Sequence, residues 1–167
     1  GFAPTGHSGK DLMQVLETYP RDELFQTPAD ELLPTALAVV HLQERRQLRL
    51  FVRRDVYGRY LSCLVFLPRD RYNTGVRERI QSILLAATDG VSIDHTALVS
   101  EAVLARLHFV VRMRPAQELP DLDVTVLERQ LAAATRAWSD EFADALAEQA
   151  GEEAAARLLR RYKEAFP

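Results

Sequence analysis

Two stretches of the sequence contain residue types that form phosphate-binding loops or catalytic triads in other proteins. Residues 6–10 combine two glycines, a serine and a lysine, as a phosphate-binding loop does. That loop, however, needs four residues between its glycines and Ser or Thr after its lysine, whereas here two residues intervene and Asp11 follows. Ser92, Asp94 and His95 suggest a catalytic triad, but alternation along a strand places His95 on the opposite face from the other two. Neither stretch predicts a catalytic centre.

Motifs for metals and cofactors are absent from the sequence. The four histidines have no metal-ligand spacing, and the single cysteine, Cys63, lies in a predicted strand where a small buried residue is common. No GxGxxG, GxSxG, HExxH or CxxC pattern occurs. We therefore expect no catalytic residue, no metal and no cofactor in this segment.

The polar segment Pro68–Thr74 is a candidate anion-binding loop. It leads from a predicted strand into a predicted helix, and backbone N–H groups at a helix start attract carboxylates and phosphates, which nearby arginines bind more strongly still. The alternative is ordinary helix capping by Asn73 or Thr74, with the arginines paired to protein carboxylates. The residues predicted to bind an effector or anion are Arg69, Asp70, Arg71, Asn73 and Thr74.

Positive charge is concentrated in one part of the chain. Arg45–Arg79 holds ten arginines against three acids, a net charge of +7, while the rest of the chain carries −10. We predict that one sheet face is apolar and packed, and that the basic opposite face meets another subunit, a neighbouring domain or RNA. The alternative is that the arginines pair with acids from elsewhere in the chain. The residues assigned to this interface are Arg49, Phe51, Arg53, Arg106, His108 and Arg112.

Hydrophobic periodicity predicts the elements that position these residues. The first part of the chain predicts helices over 11–19 and 27–46, the second with Thr27 as N-cap and bent or delayed at Pro34. A hairpin over 48–67 follows, with its turn at Asp55–Gly58 and a central second strand.

The second half of the chain continues with a helix, two strands and two helices. The helix begins at Asn73 or Thr74 and ends at Asp89-Gly90. The remaining predicted elements are strands over 91–100 and 104–114 and helices over 123–150 and 152–166.

This order predicts an α+β fold. We expect an antiparallel ferredoxin-like sheet of about four strands with helices packed on one face, plus flanking N- and C-terminal helices. In that pattern the ferredoxin-like unit begins at Tyr60 and lacks its last strand, and the strand near 48–54 fills a sheet edge. The predicted parts are a disordered lead-in over 1–9, N-terminal helices over 10–46, the α+β core over 47–122 and C-terminal helices over 123–167 that lead to a next domain.

Composition excludes several classes of protein. The chain of 167 residues is 47% hydrophobic with seven Gly and eight Pro, which is unlike a disordered or fibrous chain. One cysteine cannot form an internal disulfide, and no apolar run approaches the ~18 residues of a membrane span. We expect a cytoplasmic protein with no membrane partner.

Several longer stretches of the sequence together carry a resemblance to a known family. They are Tyr19–Gln26, Leu42–Arg46, Arg49–Asp55, Gly58-Arg59 and Ser62–Thr74. These stretches resemble the N-terminal regulatory part of the large bacterial class of NAD-dependent glutamate dehydrogenases. The similarity is strong over residues 10–85, and the order of elements in the remainder is compatible with it.

The resemblance implies a parent enzyme that converts L-glutamate, water and NAD to 2-oxoglutarate, ammonium and NADH. In that family the N-terminal region consists of ACT-like domains, which are ferredoxin-like units that bind amino acids or mediate assembly. NAD and hydride transfer belong to a later domain, so no catalytic residue is carried over to this segment. The implied effector loop corresponds to Pro68–Thr74, and the implied partners are other domains and subunits of the parent and an amino-acid effector.

Two alternatives remain at the level of sequence. One is a nucleic-acid-binding module that uses the basic sheet face with Phe51 as a stacking platform, although the negative net charge and the few aromatic residues on that face argue against it. The other is a purely structural interaction domain that binds no effector.

Overall fold

The chain is divided into two compact units. The computed structural model describes residues 7–115 and 120–150, together with Ala154 and Arg157. One unit extends to Gln47 and the other begins at Leu48. The described helices include none that is both long enough and apolar enough to cross a membrane.

The first unit consists of helices. They are α1 (His7–Glu17), α2 (Arg21–Gln26) and α3 (Ala29–Arg45), with α1 in contact with α3. Helix α1 begins within the predicted lead-in over 1–9, so His7–Lys10 forms the first turn of a helix and not a phosphate-binding loop. Helix α2 was not predicted, because six residues are too few to show a helical period.

The start of α3 differs from the prediction. Pro28 and not Thr27 stands at the N-cap, and the buried Thr27 Oγ1 forms no hydrogen bond with any described residue. The backbone carbonyl of Pro28 accepts the first helical hydrogen bond from Leu32 N at 2.9 Å. The prediction that Pro34 delays the helix is wrong, since Pro34 lies inside it.

The second unit holds the sheet. Its elements are β1 (Arg49–Arg54), β2 (Tyr60–Pro68), a 3₁₀ turn (Arg69–Arg71), α4 (Thr74–Thr88), β3 (Ser92–Leu98), β4 (Leu104–Arg112) and α5 (Val124–Ala150). The turn from β1 to β2 closes with Gly58 N donating to Asp55 O at 2.9 Å, and Gly58 has a φ of 67°, which a residue without Cβ adopts readily.

The sheet has the strand arrangement of a ferredoxin-like unit, except that β1 takes the place of the last strand. Its strand order is β1-β2-β4-β3, and all neighbours are antiparallel. Strand β2 is central, as its apolar residues on both faces predicted. Strand β1 stands at the edge where the last strand of a ferredoxin-like unit would lie, which confirms the predicted α+β fold class.

One face of the sheet carries the core. Alternate residues of β2 and β4 meet the apolar stripes of α4 and α5, which lie on the same face. The fully buried side chains include Leu61, Val65, Leu67, Ile80, Leu84, Leu107, Phe109, Val111 and Leu131. Cys63 is buried in mid-strand, as predicted. The last predicted helix, over 152–166, lies outside the described residues except for Ala154 and Arg157, which are helical.

Candidate functional site

The predicted effector loop begins where β2 ends and closes at the first turn of α4. Asn73 is the N-cap of α4, and its Oδ1 accepts a hydrogen bond from Val76 N at 2.8 Å. Its side chain is buried, so the amide is committed to the helix. Thr74, the other predicted cap, is exposed. Asn73 therefore caps the helix, as the alternative to anion binding predicted.

Arg69 ties this loop to the connection between β3 and β4. Its backbone N donates to Val103 O at 2.9 Å, and its Nη1 donates to Ser100 O at 3.0 Å. Both bonds run to main-chain carbonyls of the neighbouring loop. Arg69 thus fixes the position of the loop and has fewer donors left for an anion.

Arg71 is the cation of this loop that faces solvent. Its side chain is exposed, and no described residue forms an ion pair with it. The N–H groups of Thr74 and Gly75 lie in the first turn of α4, where no helical carbonyl precedes them. A guanidinium and the free N–H groups of a helix start are both groups that bind carboxylates in proteins. Asp70, also exposed, adds negative charge beside it. Whether the five loop residues bind an effector stays a prediction.

The six residues of the predicted basic face lie on one side of the sheet, opposite the core. The register places Arg49, Phe66 and Arg106 in one row across the strands. The next row holds Phe51, Leu64 and His108. Arg53 and Arg112 belong to the same face further along their strands.

The centre of this face is less open than the sequence suggested. Leu64 is only 3% exposed and Phe66 6%, although both point away from the core. His108 is 8% exposed, and its Nε2 lies 2.9 Å from Ser62 Oγ in a buried hydrogen bond. The half-buried Phe51 packs edge-on against Phe66 with ring centroids 6.0 Å apart. This centre is therefore not an open stacking platform.

Acidic side chains pair with several arginines of the basic region and of strand β4. Arg49 pairs with Glu128 of α5 at 3.1 Å, and Arg112 pairs with Asp94 of β3 at 3.3 Å. The same holds for Arg54 with Asp121, Arg59 with Asp55, Arg77 with Glu78 and Arg114 with Asp89. Within Arg45–Arg79, the alternative of pairing with acids from elsewhere in the chain thus holds for Arg49 and Arg54, whereas Asp55 and Glu78 belong to that segment itself.

The three residues that were considered above as a catalytic triad all lie on the edge strand β3. Asp94 lies beside Arg112 on the outer face, and His95 is on the core side, where its ring lies 6.2 Å from that of Phe109. Among the described residues, no group of three His, Cys, Asp or Glu is placed to hold a metal ion.

Sequence reasoning missed a polar cluster at the β1–β2 turn. Asp55 accepts hydrogen bonds from Arg59 Nε at 2.9 Å, Arg59 Nη2 at 3.3 Å and the Arg59 backbone N at 3.1 Å. The hydrogen bond from the Arg59 side chain is the main reason why the pKa of Asp55 lies below its usual value. The guanidinium of Arg59 also lies 5.0 Å from the ring centroid of Tyr57. The spacing of an acid four residues before an arginine was the available signal.

Comparison with known proteins identifies the parts of the chain. Residues 49–139 match the family model described as the glutamate dehydrogenase ACT2 domain. Residues 1–45 match glutamate dehydrogenase helical motif 1, and residues 145–167 match helical motif 2.

Three relatives, each named NAD-specific glutamate dehydrogenase, are similar along nearly the whole chain. The protein from Halomonas elongata is 44% identical and that from Pseudomonas aeruginosa 42%, each over the whole of this chain and 10% of the relative. The Mycobacterium tuberculosis protein is 38% identical over 96% of this chain and 11% of its own length. The chain therefore spans about a tenth of these relatives. It belongs to the glutamate dehydrogenase family, and its sheet unit is an ACT2 domain of that family.

Proposed function

We propose that this chain is a non-catalytic regulatory and assembly segment of a large NAD-dependent glutamate dehydrogenase. The observation that carries the proposal is its match to an ACT2 domain flanked by helical motifs, in relatives ten times its length. The parent converts L-glutamate, water and NAD to 2-oxoglutarate, ammonium and NADH. We place the parent in the cytoplasm, in keeping with an unbridged buried thiol at Cys63.

The described residues do not form the kind of turn at which dinucleotides such as NAD bind. Dinucleotides bind at a glycine-rich turn between a strand and a helix of a parallel sheet, because the pyrophosphate needs close backbone approach. Here the strands are antiparallel, and the turn from β2 to α4 contains no glycine between Pro68 and Thr74. We therefore assign the cofactor and the reacting groups to another part of the parent.

The regulatory role is assigned to the loop at the start of α4. An amino-acid effector would place its carboxylate against Arg71 and the N–H groups of Thr74 and Gly75. Arg69 and Asn73 would hold the loop in shape through their bonds to Ser100 and Val76. Effector binding at this place would reach the core directly, since α4 packs on the sheet with Ile80 and Leu84.

The nucleic-acid alternative finds little support in the geometry of the sheet. Base stacking needs an accessible aromatic face, whereas the ring of Phe51 packs on Phe66 and is half-buried. Phosphate binding needs unpaired cations, and Arg49 and Arg112 have carboxylate partners.

Activity measurements separate a regulatory segment from a catalytic one. The chain alone is expected to show no glutamate-dependent reduction of NAD and no heat of NAD binding. The parent enzyme with this segment deleted is expected to keep its dinucleotide site but to change in subunit assembly or in its response to amino acids. Turnover by the chain alone would contradict the proposal, as would a deletion that leaves assembly and effector response unchanged.

Thermal unfolding in the presence of single amino acids tests the effector loop. A ligand that binds only the folded state raises the melting temperature, and the rise grows with the logarithm of the ligand concentration above its Kd. We expect at least one amino acid to raise it, and Arg71→Ala to abolish the rise. Arg79→Ala, which removes another exposed arginine of the same region, is the matched control and should keep it. If every amino acid leaves the melting temperature unchanged, the segment acts in assembly alone.

A further inference from the structure

The tip of the β1–β2 turn carries two large apolar side chains that the sheet unit does not use. Val56 is 87% exposed and Tyr57 79%. Neither belongs to the core cluster of the described residues. Single exposed apolar side chains are common on protein surfaces, so exposure alone assigns no role to them. Here, however, the two are adjacent and stand on a turn of fixed shape.

The contacts at the base of the turn hold it in one conformation. Asp55 accepts hydrogen bonds from Arg59 Nε at 2.9 Å, Nη2 at 3.3 Å and the backbone N at 3.1 Å. Asp55 N also donates to Tyr60 O at 3.0 Å, and Gly58 N donates to Asp55 O at 2.9 Å. A loop that is already fixed loses little conformational entropy when a partner binds it. The turn is therefore preorganised for binding.

The guanidinium of Arg59 forms one side of the tip. It lies 5.0 Å from the ring centroid of Tyr57 and 6.0 Å from that of Tyr60. The Asp55 side chain that it holds is 5% exposed, whereas that of Arg59 is 66% exposed. Because the carboxylate is buried and the guanidinium is not, the pair presents its positive end to the outside. Tyrosine and arginine are also among the residues that most often dominate the binding energy of protein interfaces.

We propose that the turn Asp55–Arg59 is an anchor that inserts Val56 and Tyr57 into an apolar pocket with a carboxylate at its rim, on a part of the parent enzyme outside residues 1–167. This chain covers 10% of the length of its relatives, so most of the parent's surface belongs to such parts. The inference rests on the assembly role proposed above, and it names the surface and the chemistry of the partner.

The side chains of the tip specify the chemistry of the pocket. The ring of Tyr57 and the methyl groups of Val56 need apolar walls, because burial of apolar surface drives most protein association. The guanidinium of Arg59 loses water at the same time, and a carboxylate that accepts a hydrogen bond from it offsets this cost. The bonds to Asp55 engage Nε and Nη2 but not Nη1, which is the donor assigned to the new carboxylate.

A contact of this size is sufficient between parts of one polypeptide. Separate proteins form stable complexes by burying roughly 1,200–2,000 Å² in total, which is more than two side chains supply. A tether raises the effective concentration of the partner to about the millimolar range, so a small contact is populated. Contact between two such tips is disfavoured, because a twofold arrangement brings identical patches together and places Arg59 of each copy against the same cation.

Photochemical cross-linking in the parent enzyme tests where the partner lies. Benzoylphenylalanine incorporated in place of Tyr57 is expected to cross-link to a segment outside residues 1–167. The control carries the same photoreactive residue in place of Val103, which is 42% exposed. Val103 lies at the opposite end of the sheet, about 30 Å away along the nine residues of β2, so it should not cross-link to that segment.

Thiol labelling in the parent enzyme measures how firmly the tip is held. Val56→Cys places a thiol of similar size at the tip, and we expect a maleimide to label it at least about tenfold more slowly in the native enzyme than in urea. Adding Tyr57→Ala should remove most of this protection. Tyr57→Phe, which keeps the ring, is the matched control and should retain it. Raising sodium chloride from about 0.05 to about 0.5 M should weaken the protection, because salt screens the bond of Arg59 at the rim.

Labelling that is as fast in the native parent as in urea overturns the inference. So does a photoreactive residue at position 57 that cross-links to nothing, or only to residues 1–167 of the same or a second copy. Protection that survives Tyr57→Ala overturns the anchor role of that side chain, and protection that salt leaves unchanged overturns the carboxylate. The assembly role of the whole segment fails separately, when its deletion leaves assembly and effector response unaltered.

Discussion

The best-defined polar contact at the residue scale is the Asp55–Arg59 pair at the β1–β2 turn. The Asp55 side chain is 5% exposed and that of Arg59 66%, so a nearly buried carboxylate is held by a mostly solvated guanidinium. Asp55 also accepts from the Arg59 backbone, and Gly58 N bonds to Asp55 O. The pair therefore fixes the turn while presenting the exposed Val56 and Tyr57 at its tip. Its contribution to stability is modest, because the cation that holds the carboxylate is mostly exposed.

The lowered pKa of Asp55 makes this contribution dependent on pH. A carboxyl with a folded pKa below its unfolded value of 3.8 stabilises the folded state above that value, and the effect is lost as the pH falls through the folded pKa. We expect Asp55→Asn to lower the free energy of unfolding near neutral pH and the difference from the parent sequence to shrink below pH 3.8. Urea unfolding across this pH range measures it. Asp70→Asn, at an exposed acid, is the control and should have little effect.

Helix α4 is the element that joins the candidate effector loop to the core. Its buried stripe consists of Val76, Ile80, Leu84 and Thr88, and its start is fixed by Asn73. The sequence offered Asn73 and Thr74 equally as caps, because both side chains suit an N-cap. The choice depends on the 3₁₀ turn over Arg69–Arg71, which brings the chain to the helix with Asn73 extended and facing Val76 N.

Removal of this cap should weaken the helix start measurably. Asn73→Ala is expected to lower the free energy of unfolding by about 1 kcal/mol, within the range known for N-cap removal. Thr74→Ala, which removes an exposed hydroxyl from the neighbouring position, should cost less than about 0.5 kcal/mol. Chemical denaturation of both variants gives the comparison. Equal losses would mean that Asn73 does not act as the cap.

At the scale of the whole molecule, the sheet unit has a core of its own. The buried cluster runs from Leu48 to Leu131, and its members all lie in the second unit. The first unit has 47 residues. A chain of this length rarely buries enough apolar surface to fold stably by itself. The second unit therefore has a hydrophobic core of its own side chains, whereas the first unit has too few residues to form a comparable one.

Fragments test this difference. A fragment over 47–167 is expected to unfold cooperatively with a sheet-containing circular dichroism spectrum, because it retains every member of the core cluster. A fragment over 1–46 is expected to show weak helicity without a cooperative transition. A matched fragment over 61–167, which removes β1 and its turn, should fail to fold, since it deletes the strand beside central β2. Cooperative unfolding of the 1–46 fragment would contradict this view.

The amino-acid order determined by itself much of the fold. Alternation over β1, β2 and β4 predicted the hairpin, the central strand and the apolar face, because period and burial are local properties of a strand. It also predicted that Arg49, Phe51, Arg53, Arg106, His108 and Arg112 share one face, which the register confirms. The similarity of residues 10–85 to glutamate dehydrogenases predicted the family that the comparisons identify.

Only the tertiary structure decided how open those surfaces are. Glu128 meets Leu50 across 78 positions of sequence, and Arg112 meets Asp94 across 18, so no local pattern could have assigned either contact. Burial of Phe66 and His108 on the outer face likewise depends on what packs there and not on strand period. The same holds for the two sheet edges, since Glu128 of the distant helix α5 bonds to the outward N–H of Leu50 on β1, whereas five of the seven residues of β3 are exposed.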